Sequence, residues 1–367
     1  MEWTKTSELT KRLIKLEPKS FFNIISEHPS SILSSSTGIE DILILLMEVD
    51  QASFLKMAVE LKSSEYGNIM HCVANQNMIN FANNLIEKIQ NHYEAQTVAK
   101  LMFSRNVAEN SPMMVMISKM TMRNRNWSNE DKDKIISIWS ACINDQVFQE
   151  IERDIMTEYW SIDILLPNKQ KQTILHLCIQ SKMFELFSMI CSSKYVDDTK
   201  LFDIFDDSNS TPLVQIFDEA FLKTVLSQHL EKKFKLETQK IVLWHVCKNN
   251  FDEVFHFVKE SMPQEEFLVI IKLTDDDSNN CSMIAAKEAS DMVLMSLLST
   301  LVYSTNKRED KDEFIHHKNK WGDTLLKIII SHGDTLSMHR EVMIKVCFIY
   351  NSFSFLSAIS YILKKIF

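Results

Sequence analysis

The chain has 367 residues, 45% of them hydrophobic and 24% charged, with a formal net charge of −9. This composition suits a folded protein, and no basic cluster exceeds Lys232-Lys233 or Lys364-Lys365, which speaks against a nucleic-acid-binding face. Four glycines and six prolines are too few for a fold built on tight hairpin turns, so an all-α chain is expected.

Residues 1–60 carry apolar positions at helical spacing, in Phe21-Phe22-Ile24-Ile25 and Ile42-Leu43-Ile44-Leu45-Leu46, and read as an N-terminal helical cap. Met1-Glu2-Trp3-Thr4-Lys5 opens a polar stretch without a signal-peptide core. Residues 61–124 hold two worn copies of a small unit. In the first, Asn68-Ile69-Met70-His71-Cys72-Val73 follows Gly67. In the second, Ser111-Pro112-Met113-Met114 places a hydroxyl at a helix cap and a proline at the first helical position, where its missing N–H costs nothing. Residues 125–165 show no clear copy and read as a helical insertion or a further worn repeat.

Residues 166–336 carry the unit most plainly. Thr173-Ile174-Leu175-His176-Leu177-Cys178 has Asn168 five residues before the threonine and an apolar stretch from Met183 to Ile190 after it. Thr211-Pro212-Leu213 repeats the pattern with Asp206 five residues upstream, and Leu213, Ile216 and Phe217 continue an apolar helical face. Ile241 to Val246 is the weakest start, supported by Glu253 and Val254, which fall where Glu185 and Leu186 fall in the clearest copy. Cys281-Ser282-Met283-Ile284-Ala285-Ala286 follows Asp276 at the same offset of five. The last copy, Asn319 to Leu326, has Gly322, Thr324 and then Gly333 nine residues after the threonine.

The unit resembles the ankyrin repeat, whose signature is Asp-x-x-Gly-x-Thr-Pro-Leu-His-x-Ala followed by a glycine and a second helix. Thr173, Leu175 and His176 match its Thr, Leu and His. Thr211, Pro212 and Leu213 match its Thr, Pro and Leu, and Gly322, Thr324, Leu326 and Gly333 match its Gly, Thr, Leu and second Gly. His71 occupies the histidine position of the first copy. Unit starts at 68, 111, 173, 211, 241, 281 and 324 are spaced less regularly than the family period of about 33 residues. The resemblance implies a helical solenoid of six or seven stacked helix-turn-helix units with helical caps. It also implies that His71 and His176 are structural hydrogen-bonders between neighbouring units, and that the second glycine survives only as Gly333.

Reaction chemistry is hard to place on this chain. The glycines at 38, 67, 322 and 333 are too far apart for a phosphate-cradling loop, and no paired Cys/His metal spacing or nucleophile elbow occurs. No cofactor or metal is expected. Acidic residues gather in the turns, at Asp206, Asp207, Asp275, Asp276 and Asp277, and could face a basic protein partner. Seven scattered cysteines without a Cys-x-x-Cys pair read as reduced thiols in an intracellular, cytoplasmic protein.

Residues 337–367 are the ambiguous end. Positions 346–363 carry no charge and are flanked by Lys345 and Lys364-Lys365, so they read as a closing helix pair or as a membrane tail. The sequence therefore points to a non-enzymatic protein–protein interaction scaffold or adaptor that uses the concave face of an ankyrin-type solenoid. The alternatives are a membrane-tethered or channel-like ankyrin protein anchored through residues 346–363, and an enzyme with an unrecognised catalytic module in 1–60 or 125–165.

Overall fold

A computed structural model describes residues 39–121, 127–147, 165–193, 201–229, 235–304 and 316–331, except positions 64 and 145, with isolated residues 14, 15, 17, 20 and 314. Helix dominates the described residues. The short strands β1 (Lys62–Ser63) and β2 (Gly67–Asn68) pair antiparallel, with Lys62 opposite Asn68. The chain divides into two compact units, residues 1–212 and 213–367.

In the first unit, α1 (Ile39–Val49) and α2 (Gln51–Glu60) pack on each other. The side chain of Asp50 caps α2 by accepting from Ser53 N at 3.1 Å. There follow α3 (Ile69–Asn75), α4 (Ile79–Gln90), α5 (Ala95–Phe103), α6 (Pro112–Lys119), α7 (Asn129–Cys142), α8 (Ile174–Gln180) and α9 (Phe184–Cys191). Helix α3 packs on α6, and α6 on α8, while α4 packs on α3, α5 and α7.

The second unit opens on a 3-10 turn that spans its boundary, Pro212–Gln215, and continues with α10 (Glu219–His229), α11 (Leu236–Asn249), α12 (Asp252–Ser261) and α13 (Gln264–Lys272). Then come α14 (Cys281–Lys287), α15 (Asp291–Ser304) and α16 (Leu325–Ser331). Helices α11, α14 and α16 contact in that order, and so do α10, α12 and α15. The second series is joined at its helix starts. Glu219 Oε1 accepts from Glu253 N and Val254 N at 2.8 and 3.3 Å, and Asn250 Oδ1 accepts from Met292 N and Val293 N at 3.0 and 3.2 Å. Helices α12 and α15 thus have N-terminal N–H groups bonded by Glu219 of α10 and by Asn250, the residue that ends α11.

Burial explains the rows. In α3, α8 and α14, six of seven residues are buried: Ile69 to Ala74, Ile174 to Ile179 and Cys281 to Ala286. An amphipathic surface helix buries one stripe, so helices this enclosed require packed neighbours on several sides.

These three helices and α11 each leave through a left-handed corner. Asn77, Lys182, Asn250 and Ala289 have φ of 57°, 55°, 57° and 55°. The next N–H then closes a six-residue loop back to the helix: Met78 to Val73 O, Met183 to Cys178 O, Phe251 to Val246 O and Ser290 to Ala285 O, at 2.8–3.2 Å. These corners lie nine residues after positions 68, 173, 241 and 280. That offset is the one expected of glycine, with Gly333 as its sole survivor. The conformation persists where the glycine does not, because the bonds around the corner outweigh a left-handed penalty of about 1–2 kcal/mol.

Three expected elements differ. The copy placed at Cys281 begins one residue earlier: Asn280 caps α14, its Oδ1 accepting from Met283 N at 3.1 Å. The residue five before the cap is therefore Asp275, not Asp276. Helix α11 starts at Leu236, which leaves Ile241 inside a continuous helix instead of at a start. After Thr211 the helix is a four-residue 3-10 turn, and the apolar face expected to reach Phe217 stops at Ile216, since Phe217 is 72% exposed. The stretches Phe21–Ile25, 148–164, 346–363 and the position Gly333 lie outside the described residues. Among the described residues, no helix is long and apolar enough to cross a membrane.

Substituting glycine at the two corners that lack asparagine tests the left-handed geometry. Lys182→Gly and Ala289→Gly should each raise unfolding stability by about 0.5–1 kcal/mol in a urea titration, the relieved strain exceeding the added unfolded-state entropy.

Candidate interaction surface

One turn recurs five times, and its chemistry starts from a single side-chain oxygen. Asn106 Oδ1 accepts from Ala108 N and Asn110 N, Asn168 Oδ1 from Gln170 N and Gln172 N, and Asp206 Oδ1 from Ser208 N and Ser210 N. Asp275 Oδ1 accepts likewise from Asp277 N and Asn279 N, and Asn319 Oδ1 from Trp321 N and Asp323 N. All ten bonds measure 2.7–3.1 Å. Asn and Asp suit this role because their short side chains reach backbone N–H groups two and four residues on.

The first N–H of each turn-closing residue also bonds the carbonyl four residues on, at 2.9–3.1 Å. The fourth residue is left-handed in every case: Glu109, Lys171, Asn209, Ser278 and Gly322. The residue that precedes the next helix or 3-10 turn follows at the sixth position: Ser111, Thr173, Thr211, Asn280 and Thr324.

The second residue of the turn has an N–H that its own turn does not use. In four of the five turns it is spent on the turn before. Val107 N donates to Glu65 O, Lys169 N to Ala108 O and Asp207 N to Gln170 O in the first unit, at 3.5, 3.3 and 3.1 Å. In the second unit, Lys320 N donates to Asp277 O at 3.0 Å. Side chains reinforce the same joints. Arg105 donates to Glu109 O and to Leu166 O, both at 2.7 Å, and Asn168 Nδ2 donates to Asn110 Oδ1 at 2.9 Å.

Histidines bond backbone carbonyls between neighbouring segments, and two of them pin a helix to one of these turns. His71 Nδ1 accepts the Asn68 N–H at 3.1 Å, while its Nε2 sits 2.9 Å from Asn110 O in the next turn. His176 repeats the arrangement with the Thr173 N–H at 3.1 Å and Ser210 O at 3.0 Å. His245 places Nε2 2.8 Å from Ile216 O, and His317 Nε2 lies 2.7 Å from Ser278 O. A carbonyl oxygen must be met by an N–H, so each of these rings carries its proton on Nε2. Burial pushes His71 down to about 4, aided by the Arg105 charge. Burial also lowers His176 and His245.

The remaining signature residues take scaffold positions. Leu175, Leu213 and Pro212 are buried, and Gly322 supplies the left-handed residue of its turn with φ 78°. Thr324 Oγ1 caps α16 through Lys327 N at 3.4 Å. Thr211 is the exception. Its hydroxyl is buried without a hydrogen bond, and Val214 stands three residues on, where His71 and His176 stand in the other copies. The chain makes a four-residue 3-10 turn there instead of an α-helix.

The five acidic turn residues do not act alike. Asp206 and Asp275 point into their own turns and build them. Asp207 lies 3.6 Å from Lys171, and Asp277 pairs with Lys320 and sits 3.9 Å from Lys287. Asp207 and Asp276 are the exposed pair of the five. What the turn tips present most distinctly is apolar. Val107, at the second position of its turn, is 55% exposed, and Trp321, at the third position of its own, is 54% exposed. The Trp321 ring is held by Lys320 and Lys287, whose ammonium groups lie 4.5 and 5.3 Å from its centroid. Sequence reasoning passed over both residues. The signal was an apolar side chain in the outermost part of an otherwise polar turn.

Among the described residues no group of three or more His, Cys, Asp or Glu could hold a metal ion. Burial raises the Cys72 thiol to about 12, and raises Cys142, Cys178 and Cys247 as well, so these thiols are packing groups at neutral pH. No protein-family model matches the chain, and no curated protein matches it in sequence.

Two substitutions probe the joints. A Cβ on Gly67 would stand 2.4 Å from His71 Nδ1, and Gly67 has φ +84°, so Gly67→Ala should lower unfolding stability by roughly 2 kcal/mol or more in denaturant titration. Thr173→Val and Thr211→Val should differ in sign. The first removes the hydroxyl 2.9 Å from His176 Nδ1 and costs about 1–2 kcal/mol, whereas the second removes an orphaned buried hydroxyl and is neutral or stabilising.

Proposed function

We propose that each unit is a stretch of ankyrin-type solenoid and that the chain is a non-enzymatic scaffold binding protein partners through its turn tips and first helices. The observation that carries this reading is the ladder of turns. Each turn is closed by its own Asn or Asp, backbone bonds join neighbouring turns, and a histidine adds a further bond at the turns 106–110, 206–210 and 275–279. Such a ladder holds successive tips in register at fixed spacing, which suits recognition of an extended surface through several separated contacts.

The tips also carry the groups that make protein contacts strong. Trp321 offers a large apolar ring with little side-chain freedom to lose, pre-positioned by the backbone bond from Trp321 N to Asn319 Oδ1 and by its two lysines. Val107 offers a smaller apolar contact on the first unit. The lysine partners of Asp207 and Asp277 moderate the acidity of the turns, so the binding expected here is led by apolar tips and trimmed by charge, not by a broad acidic ridge.

A photo-crosslinking amino acid placed at Val107 or Trp321 should give discrete adducts with partner proteins in cells, while the same group at Glu87, exposed on α4, should give few. Trp321→Ala should weaken capture at least tenfold without lowering unfolding stability by more than about 0.5 kcal/mol. Adducts at Glu87 and none at the tips would reject this face as the binding surface.

A further inference from the structure

The two histidine bridges of the first unit share one geometry and differ in charge surroundings. In each, Nδ1 accepts an N–H from its own cap residue and Nε2–H donates to the carbonyl of the next turn. Only the neutral ring with its proton on Nε2 can do both. A second proton, on Nδ1, would meet the Asn68 or Thr173 N–H at 3.1 Å. The ring would then have to turn toward the nearby oxygen, Asn68 Oδ1 or Thr173 Oγ1, each 2.9 Å from Nδ1. That movement draws Nε2–H away from the carbonyl of the neighbouring turn. Because both rings have such an oxygen, this feature does not separate them.

Charge does separate them. Asp206 closes the turn that His176 reaches, and its carboxylate favours a positive ring there. Arg105 flanks the turn that His71 reaches, and its guanidinium opposes a positive ring. Among the described residues the helices packed on α3 and α8 bring no other buried charge, while the turn that His71 reaches also holds Glu109 and the turn that His176 reaches also holds Asp207, 3.6 Å from Lys171. The buried positions of α4 (Ile79, Phe81, Ala82, Leu85, Ile86, Ile89), of α6 (Pro112 to Ile117) and of α9 (Leu186, Phe187, Ile190) are apolar, and Cys191 is a buried thiol. We propose that mild acid opens the first unit at one chosen joint, the bridge from His176 to Ser210, while the bridge from His71 to Asn110 still holds. The turn 206–210 then detaches from α8 before the turn 106–110 detaches from α3, which makes the His176 joint an acid-sensitive release point.

The direction with pH follows from linkage. Both histidines titrate below the ordinary value of 6.5 in the folded chain, so on acidification the unfolded or opened state takes up the proton first. The bridges contribute fully above that value and are lost as pH falls toward the folded pKa, which Arg105 sets lower for His71. The joint would behave this way whatever the face binds.

The test uses the full chain, followed from pH 7 to pH 4 by the ring Cε1–H signals of His71 and His176 and by amide hydrogen exchange. His176 should titrate at the higher pH. Exchange at Asp207 N, which bonds Gln170 O, should rise with it while Val107 N, which bonds Glu65 O, stays protected. Asp206→Asn provides the second arm. Asparagine already fills the same turn position at 106, 168 and 319, so the variant keeps the turn and removes the charge. It should leave the denaturation midpoint at pH 7 unchanged and lower the His176 midpoint by roughly half to one pH unit. His71 titrating first, one cooperative loss of both amides at a single pH, or an unmoved His176 midpoint in Asp206→Asn would each overturn the proposal. The order of the two joints in the unsubstituted chain decides the matter even if the variant folds poorly.

Discussion

A side-chain oxygen that accepts two backbone N–H groups closes each of the five turns, and everything around the turn follows from it. By satisfying the third and fifth N–H of its turn, the Asn or Asp leaves the second N–H facing outward with no partner of its own. That single donor can then meet a carbonyl of the turn before. The stacking of turns is thus a by-product of how one turn satisfies itself. The histidines act at the same places, tying a helix start on one side to a turn carbonyl on the other.

The chain achieves this almost without glycine. Left-handed residues are needed at the fourth position of every turn and again between the paired helices, and most of these positions carry Asn, Lys, Ser, Glu or Ala. Asparagine tolerates the conformation better than the others, yet Lys182 and Ala289 hold it as firmly. Local bonding over-determines each corner, so the backbone conformation outlives the residue that best suits it. Among the described residues the left-handed positions are spread over many small corners and not gathered in one place.

Cap residues and the offset of five from cap to turn were legible because both are chemical requirements: an oxygen at the helix start and an oxygen at the turn start. Those requirements also explain the misreading at Cys281. Asparagine caps as well as threonine does, so Asn280 takes the cap that the threonine pattern assigns to Cys281, and the turn starts at Asp275 instead of Asp276. The left-handed corners were not legible, since glycine is the sequence sign for them and Lys182 or Ala289 gives none. Helix α11 hid its start because nothing at Lys235 marks a side-chain cap. Phe217 read as core by spacing, but the helix that would have turned it inward is only four residues long. Val107 and Trp321 could have been noticed as apolar residues at turn tips, a position whose exposure the turn itself dictates.

The stacking of turns is tested most directly at the second residue of four of them, whose N–H bonds a carbonyl of the neighbouring turn. Site-resolved amide hydrogen exchange at neutral pH should show Val107, Lys169, Asp207 and Lys320 strongly protected, as much as the turn amides bonded to Asn or Asp oxygens. Exchange at these four positions at the rate of an open loop, with the other turn amides still protected, would show turns that form singly and do not stack.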